Sequence, residues 1–116
     1  MTERKNLTNN TDWKPERIQD GIRITDPKLA RILLHRDKKR IISDLIEKEM
    51  TIQELSSSTE INPGTIKRHL DNLISNKLVF MSRQERTKYN VKQKFYSAVA
   101  RQFIIDIKIP EEQNLN

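Results

Sequence analysis

Cysteine is absent from this 116-residue sequence, and there are only two glycines and two histidines. Without cysteine there can be no disulfide, no thiolate zinc site and no cysteine nucleophile. Two glycines cannot build a glycine-rich phosphate loop. The histidines, His35 and His69, stand in no HxxxH-type spacing and in no recognisable nucleophile or acid–base pattern. No apolar run approaches the ~20 residues that span a bilayer. The opening residues, MTERKNLTNN, lack the apolar stretch of a secretion signal, so a cytoplasmic protein is expected. This inventory predicts neither an enzyme nor a cofactor, and no metal or membrane partner.

Hydrophobic residues are also scarce, at 34%. Residues 1–17 hold only Met1, Leu7 and Trp13 as large hydrophobes, and residues 110–116 only Leu115. Both ends are therefore expected to be poorly ordered tails around one folded domain over 18–109. Arg4, Lys5 and Lys14 in the first tail admit a DNA-contacting arm, with a plain polar tail as the simpler expectation.

Charge of one sign is abundant, and its position is informative. The net charge is +6. Residues 62–96 carry eight basic side chains (Lys67, Arg68, Lys77, Arg83, Arg86, Lys88, Lys92, Lys94) against two acids, Asp71 and Glu85. Elsewhere basic and acidic residues balance, so the whole excess lies in one stretch. An anionic partner explains this, nucleic acid being the commonest for a basic soluble domain. A merely solvated basic face is the plainer alternative.

The elements can be read from caps and periodicity. Asp26 and Pro27 open a helix over 27–35, with Leu29, Ile32 and Leu33 on one face. A second helix over 37–49 carries an apolar stripe of Ile41, Ile42, Leu45 and Ile46. Whether His35 to Asp37 breaks or bends the chain is open. Thr51 and Glu54 have the spacing of a capping box, opening a short third helix. Asn62 and Pro63 open a fourth over 62–76, with Ile61 and Ile66 placed as a hydrophobic staple. Its inward face is Ile66, Leu70, Leu73 and Ile74, which turns Gly64, Arg68, Asp71 and Ser75 outward. Residues 78–82 and 91–99 read as strands flanking a polar, basic tip over 83–90. Residues 18–26 match no element, and 100–109 fit either a strand or a short helix.

A short helix, a tight turn, a second helix and a basic hairpin follow in the order of a winged helix-turn-helix. The fold class expected is mainly α with a small β-hairpin. In this arrangement the helix over 62–76 enters the major groove and offers its N-terminal residues to base edges. The candidate DNA-binding residues there are Asn62, Pro63, Gly64, Thr65, Lys67 and Arg68. Arg83, Arg86 and Lys88, placed at the hairpin tip, would lie along the backbone or reach into the minor groove. His69, Tyr89 and Tyr96 are read as packing residues.

The run KRIISDLIEKEMTIQELSSSTEINPGTIKRHLDNLISNKLVF, with KQKFYSAVARQFII after the hairpin, resembles the ArsR-type winged helix regulators, especially members lacking cysteine sensors. The likeness covers about residues 27–107, and GTIKRHLDNL is its most specific part. It implies a winged-helix fold, double-stranded promoter DNA as partner, and a homodimer formed through the first and last elements. It places recognition contacts at Pro63, Gly64, Thr65, Lys67 and Arg68, and wing contacts at Arg83, Arg86 and Lys88. The first helix offers Leu29, Ile32 and Leu33 to the dimer. The C-terminal segment offers Phe103, Ile104 and Ile105, with Phe103 and Ile105 as the candidate contacts. The family's metal sensors use cysteine, histidine and acidic clusters that this sequence lacks, so a metal-responsive mechanism is not expected. Two other readings share the charge: an architectural protein indifferent to DNA sequence, and a winged-helix subunit that meets an acidic protein.

Overall fold

Each helix begins where a side chain can satisfy its free N–H groups. The computed structural model describes residues 12–110. Asp26 accepts from the Lys28 N–H and Pro27 occupies the first position of α1 (Pro27–Leu34). His35 then turns extended, with ψ 131°, and its Nδ1 accepts from the Lys38 N–H at 3.3 Å. It therefore breaks the chain into two helices rather than bending one, and caps α2 (Arg36–Glu47). The capping box at α3 (Ile52–Thr59) is complete: Thr51 N donates to Glu54 Oε1 at 3.0 Å, and Glu54 N donates to Thr51 Oγ1 at 3.1 Å. The hydroxyls of its serine- and threonine-rich end close the following turn. Ser56 Oγ donates to the Ile61 carbonyl and Thr59 Oγ1 to the Leu55 carbonyl, both at 2.7 Å. Glu60 sits left-handed in that turn, at φ 63°.

Asn62 opens α4 (Pro63–Ser75), its Oδ1 accepting from the Gly64 and Thr65 N–H groups. Ile66, Leu70, Leu73 and Ile74 are buried, as the periodicity predicts. The helix ends at a left-handed Lys77, φ 60°. There Leu78 N donates to the Leu73 carbonyl and Lys77 N to the Ile74 carbonyl, both at 2.9 Å, a Schellman closure. The buried Leu78 leads directly into β2 (Val79–Arg86), which pairs antiparallel with β3 (Lys92–Ala98). A bulge between Met81 and Arg83 resets the register, so that Met81 faces Tyr96 and Arg83 faces Phe95. Met50 joins Tyr96 through two backbone bonds of 3.0 and 2.9 Å, tying the entry of α3 to β3.

The two segments the sequence left unassigned explain each other. β1 (Ile22–Ile24) and β4 (Phe103–Ile105) form a two-stranded parallel sheet, with Ile22 opposite Phe103 and Ile24 opposite Ile105. A three-residue strand shows no periodicity of its own; its partner lies at the other end of the domain. One core joins all four helices to Ile24, Leu78, Val79, Tyr96 and Ala98.

Three expectations need correction. The N-terminal tail does not extend to residue 17. Trp13 is half-buried, stacks obliquely on Phe80 with centroids 6.2 Å apart, donates its Nε1–H to the Ile74 carbonyl at 3.3 Å, and lies under the Lys77 ammonium at 4.8 Å. Lys14 donates to the Ser82 carbonyl instead of reaching outward as an arm residue. The wing tip is also shorter than expected: residues 83–86 are strand, and only Thr87–Val91 turn, closed by Thr87 N to the Val91 carbonyl at 2.9 Å. Third, Leu33 is 5% exposed and belongs to the protomer's own core, while Leu29, Ile32, Phe103 and Ile105 are half-buried against it. The neighbours that face outward are Leu34 and Ile104, at 56% and 49%. Strand alternation turns Ile104 out because Phe103 and Ile105 point in.

Candidate nucleic-acid interface

The exposed end of α4 is held rigidly from behind. Four buried side chains fix the helix, and the Asn62 cap fixes its first turn. Pro63 and Gly64 are exposed at the tip and Thr65 is half-buried beside them. A Cβ on Gly64 would meet only Asn62 Oδ1, at 3.2 Å, so glycine leaves the cap undisturbed and the tip slim. Lys67 is drawn back along the helix onto Asp71, its Nζ 3.0 and 3.1 Å from the two carboxylate oxygens. Arg68 is exposed and has no hydrogen bond or ion pair among the described residues. It is the guanidinium of this helix that is free to meet a ligand.

The wing is a different construction. Arg83 is not at its tip but at its base, on β2. Its Nε donates to Glu49 Oε2 at 2.6 Å, Nη1 pairs with Glu85, and its guanidinium lies 3.9 Å from the Phe95 ring centroid. Its charge is already answered by two carboxylates, so it fastens the wing more than it recruits an anion. Arg86, also on β2, donates to the Asn90 carbonyl and Oδ1 at 3.1 and 3.2 Å, bracing the turn. Asn90 adopts the left-handed conformation that asparagine tolerates, at φ 64°. Lys88 stands at the tip with its Nζ 5.4 Å from the Tyr89 ring. Of the three wing residues read from the sequence, Lys88 alone has the expected position.

Several functional groups escaped the sequence. Glu49 accepts from Ser82 Oγ at 2.6 Å as well as from Arg83, which joins the wing to the segment that follows α2. These hydrogen bonds, Ser82's first, hold its carboxyl below the ordinary carboxylate value. The acid lies 34 residues from its arginine in the chain, and no local pattern links them. Lys92 and Lys94 alternate along β3 on the side that faces α3 and α4, a placement that alternation alone could have suggested. The two histidines, remote in sequence, meet with ring centroids 5.2 Å apart, and His69 Nε2 is 3.8 Å from Asp37 Oδ2. Burial, then the neighbouring His35, Lys38 and Arg68, lowers the pKa of His69, with Asp37 opposing. Among the described residues no three His, Cys, Asp or Glu side chains gather closely enough to hold a metal ion, and no helix is long and apolar enough to cross a membrane.

Residues 36–79, which comprise α2, α3, α4 and the first residue of β2, match the family model described as the bacterial regulatory protein, arsR family. No curated protein matches the chain. Among solved structures, the transcriptional repressor BigR from Xylella fastidiosa is similar at 26% identity and a TM-score of 0.50, over 62% of this chain and 65% of that one. Rv0081 from Mycobacterium tuberculosis aligns at 21% identity with a TM-score of 0.51, over 64% of this chain and 69% of that one. Mb0332 from Mycobacterium bovis, a homodimeric winged helix-turn-helix DNA-binding domain, aligns at 19% identity with a TM-score of 0.50, over 63% and 62%. This chain thus spans just under two thirds of the BigR and Mb0332 chains, and the last two likenesses speak to the fold. With the capped α3–turn–α4 unit and the β2–β3 wing in place, the fold is that of a winged helix-turn-helix domain, and its central segment, residues 36–79, is similar to the arsR family of bacterial regulatory proteins.

Proposed function

We propose that the protein is a sequence-specific, double-stranded DNA-binding transcriptional regulator, acting in the cytoplasm as a homodimer. The observation that carries the reading is Arg68. It is an unpaired guanidinium on the exposed face of a helix anchored by four buried residues, beside a hairpin in the same strongly basic stretch. In this reading α4 enters the major groove. Arg68 makes a bidentate contact to a base, typically guanine, or to a phosphate, and Thr65 donates to a base edge or phosphate. Asn62, Pro63 and Gly64 allow close approach, and Lys67 faces a phosphate once DNA competes with Asp71. Lys88 and Arg86 follow the backbone, and Arg83 positions them. The domain responsible runs from about Trp13 to residue 109.

A dimer would cover apolar side chains that one protomer leaves exposed, chiefly Leu34 on α1 and Ile104 on β4. Leu29, Ile32, Phe103 and Ile105 would support that surface from beneath. Sedimentation at micromolar concentration tests this, a monomer contradicting it.

DNA binding is tested by fluorescence anisotropy on the protein's own promoter region and on a scrambled duplex of equal composition, across a salt series. The promoter is expected to bind about 10³-fold more tightly at physiological salt. Equal binding with a steep salt slope would establish the architectural reading instead, and no binding to either duplex at low salt the protein-partner reading.

A further inference from the structure

The balance of charge outside residues 62–96 conceals a second basic run. Residues 36–40, at the start of α2, carry Arg36, Lys38, Lys39 and Arg40 against one acid, Asp37. This run lies beside α4. Successive residues on a helix are about 100° apart, so Lys67 and His69 flank the exposed Arg68 on opposite sides. The Lys67 flank is turned to the wing, where it lines one cleft with Lys92 and Lys94 of β3. The His69 flank is turned to α2: its Nε2 is 3.8 Å from Asp37 Oδ2, and its ring meets that of His35, the residue that caps α2. Arg40 donates to the Thr59 carbonyl, which ties α2 to the turn that leads to the tip of α4.

The cations of this run are not spent within the protein. The Lys38 and Lys39 ammonium groups have no hydrogen bond or ion pair among the described residues. Arg36 is exposed, and its Nε stands 3.8 Å from Asp37 Oδ1, too far for a hydrogen bond. Asp37 is itself only 27% exposed and faces Arg36 and His69. Burial, then His35, Lys38 and Arg68, hold the His69 pKa down against Asp37 alone, so positive charge outweighs negative on this flank. A surface with that imbalance suits an anionic partner. An α-helix with its side chains, roughly 10–12 Å across, fills a major groove about 12 Å wide, so a phosphate strand runs along each of its flanks. The wing answers only one of the two.

We propose that the start of α2 is a second grip on DNA, in which Arg36, Lys38 and Lys39 meet phosphates of the strand opposite the one that the wing follows. The groove is then held from both walls. These contacts carry no sequence information; they fix the depth and angle at which α4 enters. The inference rests on the reading of α4 as the groove-entering helix.

The test is fluorescence anisotropy of the full chain on promoter and scrambled duplexes across a salt series. Lys38→Gln with Lys39→Gln should weaken binding to both duplexes by the same factor and reduce the salt slope by about two. Lys39 is exposed, so Lys39→Gln alone should keep the melting temperature and reduce the slope by about one. Lys28→Gln with Arg101→Gln removes the same charge from exposed positions elsewhere and should leave the slope as it is. If this control lowers the slope equally, the effect is one of net charge and the grip is overturned. A loss confined to the promoter overturns it too, by assigning base reading to α2. Wild-type binding with an unchanged slope in the α2 variants sinks the grip alone, whereas wild-type protein that binds neither duplex sinks the regulator reading and the grip with it.

Discussion

Two regions share the positive charge of this protein, and they are built on opposite principles. Helix α4 is set in place by Ile66, Leu70, Leu73 and Ile74, all 2% exposed or less. The wing beyond Ser82 has no buried residue until Tyr96, and its attachment is polar: Glu49 to Ser82 and Arg83, Arg83 to Glu85 and the Phe95 ring. Apolar burial is close-packed and is not screened by salt, whereas exposed ion pairs are weak and screened. An element that reads bases needs fixed geometry, because hydrogen bonds to base edges depend on both distance and angle. A clamp on the backbone tolerates movement. The α4 tip accordingly leaves Arg68 free, while the wing consumes Arg83 in holding itself together.

That contrast can be broken at its strong end first. Leu70→Ala should cost about 2–5 kcal/mol of stability by denaturant unfolding, because it removes a fully buried side chain behind the exposed face of α4. A loss under about 1 kcal/mol would mean that α4 is not held by burial. Trp13 braces the joint where α4 passes into β2, through Phe80, Lys77 and the Ile74 carbonyl. Trp13→Ala should cost about 2 kcal/mol, less than a fully buried aromatic, and unchanged stability would return this segment to a passive tail.

The polar end should respond weakly and to different variables. Glu49→Gln should cost under about 1 kcal/mol of stability, but should loosen the wing, measurable as faster amide exchange in residues 83–86. In 1 M salt the wild-type wing should approach the variant, at a Debye length of about 3 Å. Hydrogen bonds to Ser82 and Arg83 lower the Glu49 pKa from its ordinary 4.5. A carboxyl depressed on folding stabilises the fold above its unfolded value and loses that contribution as pH falls through the folded one. Wing protection should therefore fade below about pH 4.5, and persist there in no greater degree than in Glu49→Gln.

His69, on α4, gives the smallest effect and another window. Burial lowers its pKa from 6.5, so the unfolded chain takes up the proton more readily. The fold then loses stability as pH falls below 6.5, until the lower folded value is passed. His69→Gln should flatten the melting-temperature change between about pH 7.5 and pH 5.5, and an unaltered slope would assign that dependence to other groups.

What the sequence made legible was local. Asp26, Thr51 with Glu54, and Asn62 with Pro63 mark helix starts through atoms two or three residues away, and each start lies where those signals put it. The buried face of α4 follows from a single period. Relations between distant segments were not legible. β1 and β4 are three residues each and meet across the whole domain, Glu49 finds Arg83 across the third and fourth helices, and the histidines meet only when α2 and α4 pack. The length of the wing was underestimated because polar, charged residues 83–86 form a strand whose partner is Lys92–Phe95, a pairing that composition does not announce. The dimer residues were chosen by hydrophobicity, and hydrophobicity alone does not separate Leu33 and Phe103, which serve the protomer's core, from Leu34 and Ile104, which face away from it.

Arg68 and the wing divide the work in the proposed function, and one anisotropy series separates the two roles: wild type, Arg68→Ala and Lys88→Ala, each on promoter and scrambled duplex at several salt concentrations. Arg68→Ala should lose about 1–3 kcal/mol on the promoter and little on the scrambled sequence. Lys88→Ala should weaken both equally and reduce the salt slope by about one. Equal losses on both duplexes for Arg68→Ala would show instead that α4 grips the backbone and that base reading lies elsewhere.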